Sequence, residues 1–256
     1  MKRVIQLMLL VAMLAPPTAS AEGESPYAFS ANVAVSTEYV FRGLTQSNEG
    51  LALSGGFDYE YAPWGFYAGF WAGSIEFPGL SATNPAEVET NFYGGFTGEF
   101  AGTGLGWDVG TLYYYYPDHD EDCCGAGEYD YIEFYGNLSY TFDGAWEPTL
   151  SAGFDWSPDY FGEDGTGINI DSSLDLSLPH GFAFSGGVHY LDVEGDQTFP
   201  SGYDYVYWSV GISKELGIFG FDVTYNGAGD DCEDVLAGGN DDLCEAFVFT
   251  ISSSWD

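Results

Sequence analysis

The chain has 256 residues, and its forty acidic side chains face only four basic ones, for a formal charge of −36. That excess excludes nucleic acid as a partner, because nothing on such a surface could neutralise phosphates. Thirty-six glycines, 20 tyrosines, 20 phenylalanines and 7 tryptophans, without a Leu-rich helical period, belong to an all-β chain.

Met1-Lys2-Arg3, the apolar stretch from Val4 to Leu14 and the segment ending in Ala19-Ser20-Ala21 have the order of a secretory signal: charged end, short apolar core, Ala-x-Ala cleavage site. The apolar core is shorter than the roughly 20 residues that a spanning helix needs. Residues 1–21 are therefore expected to be removed, and 22–256 to form one unit. Arg42 and Lys214 are then the only basic residues against forty acids, a formal charge of −38.

Beyond residue 30, alternating segments of about ten residues are separated by turn residues. In the clearest, Ile168, Ile170, Leu174, Leu176 and Leu178 share one face, while Asn169, Asp171, Ser173, Asp175 and Ser177 share the other. Period two with one apolar and one polar face is the mark of a strand between two different solvents. The same rule predicts twelve strands at 31–42, 51–61, 64–76, 87–100, 105–116, 129–142, 146–157, 167–179, 181–193, 203–214, 217–227 and 245–255. Connections after the even-numbered strands are short (Ala62-Pro63, 101–104, 143–145, His180, Glu215-Leu216), and those after the odd-numbered ones are long and polar. Short turns at one end and long loops at the other are the asymmetry of a transmembrane antiparallel up-and-down β-barrel, which bacterial chains build with an even strand number.

Aromatic residues support that reading. Trp64, Trp107, Trp146, Phe182 and Phe219 each follow a short turn on the apolar parity, and Trp255 closes the last strand at that level. This is an interfacial girdle. Tyr39, Phe41, Tyr113, Tyr115, Trp156, Tyr190 and Tyr225 are candidates for the opposite one. Lys214 falls on the lipid parity at the short-turn end, where its stem can reach the interface.

The polar faces then line the lumen. They carry Glu38, Arg42, Asp58, Glu60, Glu89, Glu99, Asp108, Glu133, Asp155, Asp171, Asp175 and Asp222. Crowded carboxylates attract cations, repel anions or pair with a base, and the base available is Arg42, with Glu38 four residues away and acids of the second and last strands expected near it. Tyr67, Tyr93, Tyr114, Tyr131, Tyr135, Tyr205 and Tyr207 share this face and would fill space, whereas Gly95, Gly110, Gly153 and Gly211 would leave it.

The four cysteines fall in outer loops of an exported chain, where disulfides form. Pairing Cys232 with Cys244, with Cys123 and Cys124 vicinal or free, is the preferred arrangement; two bridges joining the loops are the alternative. The run Asp118-His119-Asp120-Glu121-Asp122-Cys123-Cys124 has one histidine and reads as a solvated acidic turn rather than a zinc or copper site. Asp230, Asp231, Asp241 and Asp242 could collect calcium weakly; no other cofactor is expected. Ser185 and His189 share a face, but the sequence offers no orienting acid, so no enzyme is expected.

The segments Ala31-Asn32-Val33-Ala34-Val35-Ser36-Thr37-Glu38-Tyr39-Val40-Phe41-Arg42-Gly43-Leu44-Thr45-Gln46-Ser47, Gly55-Gly56-Phe57-Asp58-Tyr59 and Gly65-Phe66-Tyr67-Ala68-Gly69-Phe70-Trp71-Ala72 carry a resemblance, which Trp107-Asp108-Val109-Gly110 and Tyr205-Val206-Tyr207-Trp208 extend. The chain resembles a proteobacterial family of small exported proteins described as TorF-type candidate porins. The resemblance implies a barrel in the outer membrane of a Gram-negative bacterium with a transport role. Lipid and small, cationic or neutral solutes are then the expected partners of an acidic passive channel. The alternative is a closed structural or adhesion barrel with cation-binding outer loops.

Overall fold

The structure is a computed structural model that describes residues 25–77, 86–117, 128–196, 200–229, 232–236 and 240–256. The expected signal segment lies outside them, as do Cys123, Cys124, Asp230 and Asp231. Fourteen strands occur among the described residues: β1 (Tyr27–Ser36), β2 (Val40–Phe41), β3 (Leu44–Thr45), β4 (Ala52–Tyr61), β5 (Phe66–Ser74), β6 (Val88–Glu99), β7 (Leu105–Tyr115), β8 (Tyr131–Thr141), β9 (Thr149–Ser157), β10 (Gly167–Ser177), β11 (Phe182–Val193), β12 (Tyr203–Leu216), β13 (Phe219–Ala228) and β14 (Glu245–Trp255). Twelve close an antiparallel barrel in the order β1-β14-β13-β12-β11-β10-β9-β8-β7-β6-β5-β4, while β2 and β3 form a separate hairpin.

Closure joins the chain's two ends. β1 pairs with β14 from Ala31↔Trp255 to Ser36↔Thr250, and with β4 from Tyr27↔Tyr61 to Ser36↔Ala52. Every barrel strand thus has two neighbours, which is what a sheet in hydrocarbon requires, since an open edge would leave N–H and C=O groups unpaired. Alternation sorts the faces: Phe57, Phe92, Val109, Phe154, Ile170, Val210, Val223 and Ile251 are exposed outward, forming the apolar belt. Trp64, Trp146, Phe182, Phe219 and Trp255 are exposed at the short-turn end, and the Lys214 ammonium lies 4.2 Å from the Phe182 ring centroid. Tyr113, Tyr115 and Trp156 are exposed toward the loop end.

Eleven of the twelve predicted strands correspond to barrel strands within a few residues, and the differences have local causes. β12 runs through the expected turn at Glu215-Leu216 because the left-handed backbone that the reversal requires falls on Gly217 (φ 70). β9 begins at Thr149 instead of Trp146, since Glu147 adopts φ 42 and Pro148 has no N–H for a ladder.

The first strand differs most. The expected 31–42 leaves the wall at Ser36, and residues 37–47 fold into the barrel as the β2–β3 hairpin, with Val40↔Thr45 and Phe41↔Leu44 paired. Tyr39 and Phe41, expected in an outer girdle, pack against the interior tyrosines. Their parity was correct for an extended strand, but the chain turns inward before reaching them.

A charge on the outer face meets lipid, whereas one on the inner face does not. Val210→Arg, at a side chain 43 % exposed to the outside, is expected to lower folding stability in lipid vesicles by about 2–4 kcal/mol. Ser209→Arg, on the opposite face, should leave it nearly unchanged. Urea unfolding of the two variants in vesicles checks this.

Candidate functional site: an arginine hairpin across an acidic lumen

The hairpin exists because its backbone finds partners and its tip tolerates a tight turn. Tyr39 N–H donates to Ser47 Oγ (2.9 Å), Gln46 N–H to the Tyr39 carbonyl (2.7 Å), and Glu76 N–H to the Gln46 carbonyl (2.7 Å). The Gln46 amide donates to the Leu44 and Thr45 carbonyls, both at 3.1 Å. At the tip Arg42 takes φ 50 and Gly43 φ 81. Positive φ at both central residues is what a two-residue hairpin loop favours, and the cost of about 1 kcal/mol to a non-glycine residue there is offset by the contacts of Arg42. Gly43 has a second reason to be glycine: a Cβ would come within 2.7 Å of the Ala228 Cβ and 2.9 Å of the Tyr207 Cβ. The tip thus presses against β12 and β13.

Arg42 is 4 % exposed. Its Nη1 lies 2.8 Å from Glu133 Oε1 and donates to the Tyr160 hydroxyl at 2.9 Å; its Nη2 donates to Glu133 Oε2 at 3.0 Å and reaches Asp155 Oδ2 at 3.5 Å. Glu133 on β8 and Asp155 on β9 belong to the wall opposite β1, β9 being six places round the barrel. The guanidinium carbon is 4.9 Å from the Phe41 ring centroid and 5.5 Å from that of Tyr160, within cation–π range. Tyr205 O–H donates to the Arg42 carbonyl (3.0 Å). The hairpin therefore crosses the lumen and is anchored at both sides.

The acids are themselves held. Tyr114 O–H donates to Glu133 Oε2 (3.1 Å), and the Asn169 amide bridges Asp155 Oδ2 (2.8 Å) and Asp171 Oδ2 (2.7 Å). Asp171 Oδ1 accepts from His189 Nδ1 at 2.6 Å, and the His189 ring stacks on Tyr207 with centroids 4.6 Å apart. Tyr207 O–H donates to Asn169 Oδ1 (2.8 Å). One polar chain thus links the hairpin tip to His189. Contrary to the expectation from sequence, His189 has an orienting acid, Asp171, supplied by the neighbouring strand in register (Asp171↔His189).

Other anticipated residues fall in three groups. Glu89 is buried on β6, accepts from Tyr39 O–H with both oxygens (3.3 Å each), and from the Asn91 amide at 2.7 Å. Asp108 accepts from Tyr67 O–H (2.7 Å), which also touches Tyr135 O–H, while Asp58 accepts from Tyr93 O–H. Half-buried Glu60, Asp175 and Asp222 lie nearer the short turns, where Asp222 accepts from Thr224 O–H (2.7 Å). Glu38 is not beside the Arg42 charge as expected: Arg42 points across the barrel to Glu133 and Asp155, and acids of the second and last strands do not pair with it. Burial pushes the Glu38 carboxyl up from its ordinary range, which Thr45 hydrogen bonding partly offsets.

Two halves of the lumen result. Toward the loops, Tyr39, Tyr114, Tyr131, Tyr160, Tyr205 and Tyr207 pack with the hairpin into a buried cluster. Toward the short turns, the β8–β12 side carries small inward residues, as in the cross-strand row Ser139↔Ser151↔Ser173↔Gly187↔Ser209, whereas on the other side the Tyr67 and Tyr135 hydroxyls fill the space beside Gly95 and Gly110, which were expected to leave room. Cys232 and Cys244 form the favoured disulfide and are fully buried within the loop-side cluster. Asp241 and Asp242 lie in the short turn Asp241–Cys244. Among the described residues no group of three His, Cys, Asp or Glu side chains is placed to hold a metal.

The family model described as "Bacterial protein of unknown function (Gcw_chp)" matches residues 20–255. This chain is a member of that family. No curated protein matches it. Among solved structures it is similar to the KdgM porin (TM-score 0.56, 7 % identity, covering 89 % of this chain and 98 % of that one). An outer membrane channel from Pseudomonas putida F1 gives TM-score 0.56 at 10 % identity, covering 94 % and 99 %. The NanC porin gives 0.53 at 11 %, covering 90 % and 100 %. At such identities the likeness is one of fold, and the Gcw_chp member shares with these proteins the whole barrel.

Arg42 and Lys214 are the basic residues after position 3, so trypsin reports on the hairpin directly. The Arg42–Gly43 bond of the folded Gcw_chp protein is expected to resist cleavage. Glu133→Ala leaves a buried guanidinium without its main partner, a loss of about 3–5 kcal/mol, and should make that bond cleavable while the barrel stays folded. Mass analysis of the tryptic fragments checks this.

Proposed function

We propose that the protein is a channel of the Gram-negative outer membrane, not an enzyme, through which small cationic or neutral solutes pass by diffusion. The observation that carries this reading is the inward set of carboxylates, Asp58, Glu60, Glu89, Asp108, Glu133, Asp155, Asp171, Asp175 and Asp222, with a single arginine among them. A lumen walled by low-dielectric protein and lined with one sign of charge concentrates counter-ions and disfavours like charges. The small side chains on the β8–β12 side of the short-turn half favour a solute path there, and the hairpin is the constriction above it. The barrel likeness and the sequence resemblance to TorF-type candidate porins agree with this reading. Exterior phenylalanines and a tryptophan girdle suit a lipid surround.

The packed loop-side cluster favours a second reading, a closed barrel whose outer loops act at the cell surface. Current separates the two. Refolded protein in a planar bilayer under a salt gradient is expected to conduct, with a reversal potential on the cation-selective side. Asp175→Asn/Asp222→Asn should move that potential toward zero. Inserted, correctly folded barrels that pass no current would overturn the channel and leave the closed barrel.

A further inference from the structure

The occupant of the Glu133–Asp155 site and the walls of that site have different mechanical standing. Both acids project from barrel strands and are fixed from behind, Glu133 by Tyr114 O–H and Asp155 by the Asn169 amide. The arginine comes from a loop hairpin and sits in a left-handed conformation. A prearranged receptor thus holds a ligand on a tether.

The receptor's chemistry is specific. Glu133 meets both terminal nitrogens of Arg42 with its two oxygens, at 2.8 and 3.0 Å, and Tyr160 O–H accepts a further N–H at 2.9 Å. A planar fork matched to a carboxylate is what distinguishes guanidinium from ammonium. Arg42 Nε is buried with no hydrogen-bond partner, so the site reads only the terminal edge that any guanidinium compound presents. The Asp155 side chain keeps 17 % of its surface exposed, against 5 % for Glu133, and is the less enclosed of the two acids.

We infer that the Glu133–Asp155–Tyr160 cluster is a binding site for guanidinium-bearing solutes, which Arg42 occupies as a built-in competitor. A solute carrying that group displaces Arg42, and the hairpin, losing its far anchor, leaves the passage. The consequence for transport rests on the channel reading; the binding does not.

The test begins by vacating the site. Arg42→Ala protein, refolded in detergent at constant ionic strength, is titrated with millimolar guanidinium or methylammonium chloride while its thermal unfolding is followed. Guanidinium is expected to stabilise this variant at concentrations about tenfold lower than methylammonium, given the fork's advantage over a point charge. The wild type should respond only at higher guanidinium concentrations, because the solute must first displace the tethered Arg42, and Arg42→Ala/Glu133→Gln, whose site lacks the matching carboxylate, should not respond. Arg42→Lys, which keeps a charge between the acids but loses the fork, is the second variant and should still prefer guanidinium. Equal responses to the two cations, or stabilisation that survives Glu133→Gln, would overturn the proposal. In bilayers, guanidinium should raise the wild-type current toward that of Arg42→Ala, as the displaced hairpin leaves the passage. Binding without any current would leave the site standing and remove the channel; current without selective binding would do the reverse.

Discussion

Everything in this molecule follows from closing a twelve-strand sheet between two different solvents. Pairing β1 with β14 satisfies the last open edge, and after that each strand must send alternate side chains to lipid and to the lumen. The acids cannot face hydrocarbon, so the wall concentrates them inside. That crowding is the electrostatic problem that the interior has to solve.

The solution is uneven. On the β4–β8 wall, Asp58, Asp108 and Glu133 accept from tyrosine hydroxyls of nearby strands, and Glu89 from Tyr39 of the inward segment, dispersing charge through neutral donors. On the β9–β11 wall, Asn169 and His189 do the same for Asp155 and Asp171. Between the walls a single guanidinium spans the gap. A buried ion pair of this kind gains little net stability over apolar packing, because both ions lose hydration; its value lies in specifying where the hairpin goes. The ion pair acts together with the Tyr205 hydrogen bond to the Arg42 carbonyl in fixing the tip.

This arrangement also explains the motif Phe41-Arg42-Gly43 with Gln46-Ser47. Phe41 covers the guanidinium, Gly43 fits against Tyr207 and Ala228, Gln46 caps the hairpin's returning carbonyls, and Ser47 receives the Tyr39 amide. Five residues that look unrelated along the chain serve one turn. Gly43 signals a turn just past Arg42, but the chain leaves the wall earlier, at Ser36, and alternation that continues through Phe41 hides that departure.

Period-two alternation, turn residues and the girdle were enough to place eleven barrel strands and the direction of each face. These are local properties, decided by which solvent each side chain can tolerate. Pairings across the lumen are a different matter. Arg42 with Glu133 and Asp155, Asp171 with His189, and Tyr39 with Glu89 depend on which strands come to face one another after closure, and on a segment leaving the wall. Tyr160, in the loop after β9, gave no sign of its role for the same reason. Sequence determined the barrel because lipid acts on each residue separately; only the tertiary structure decided the site, because its contacts join residues that are distant along the chain.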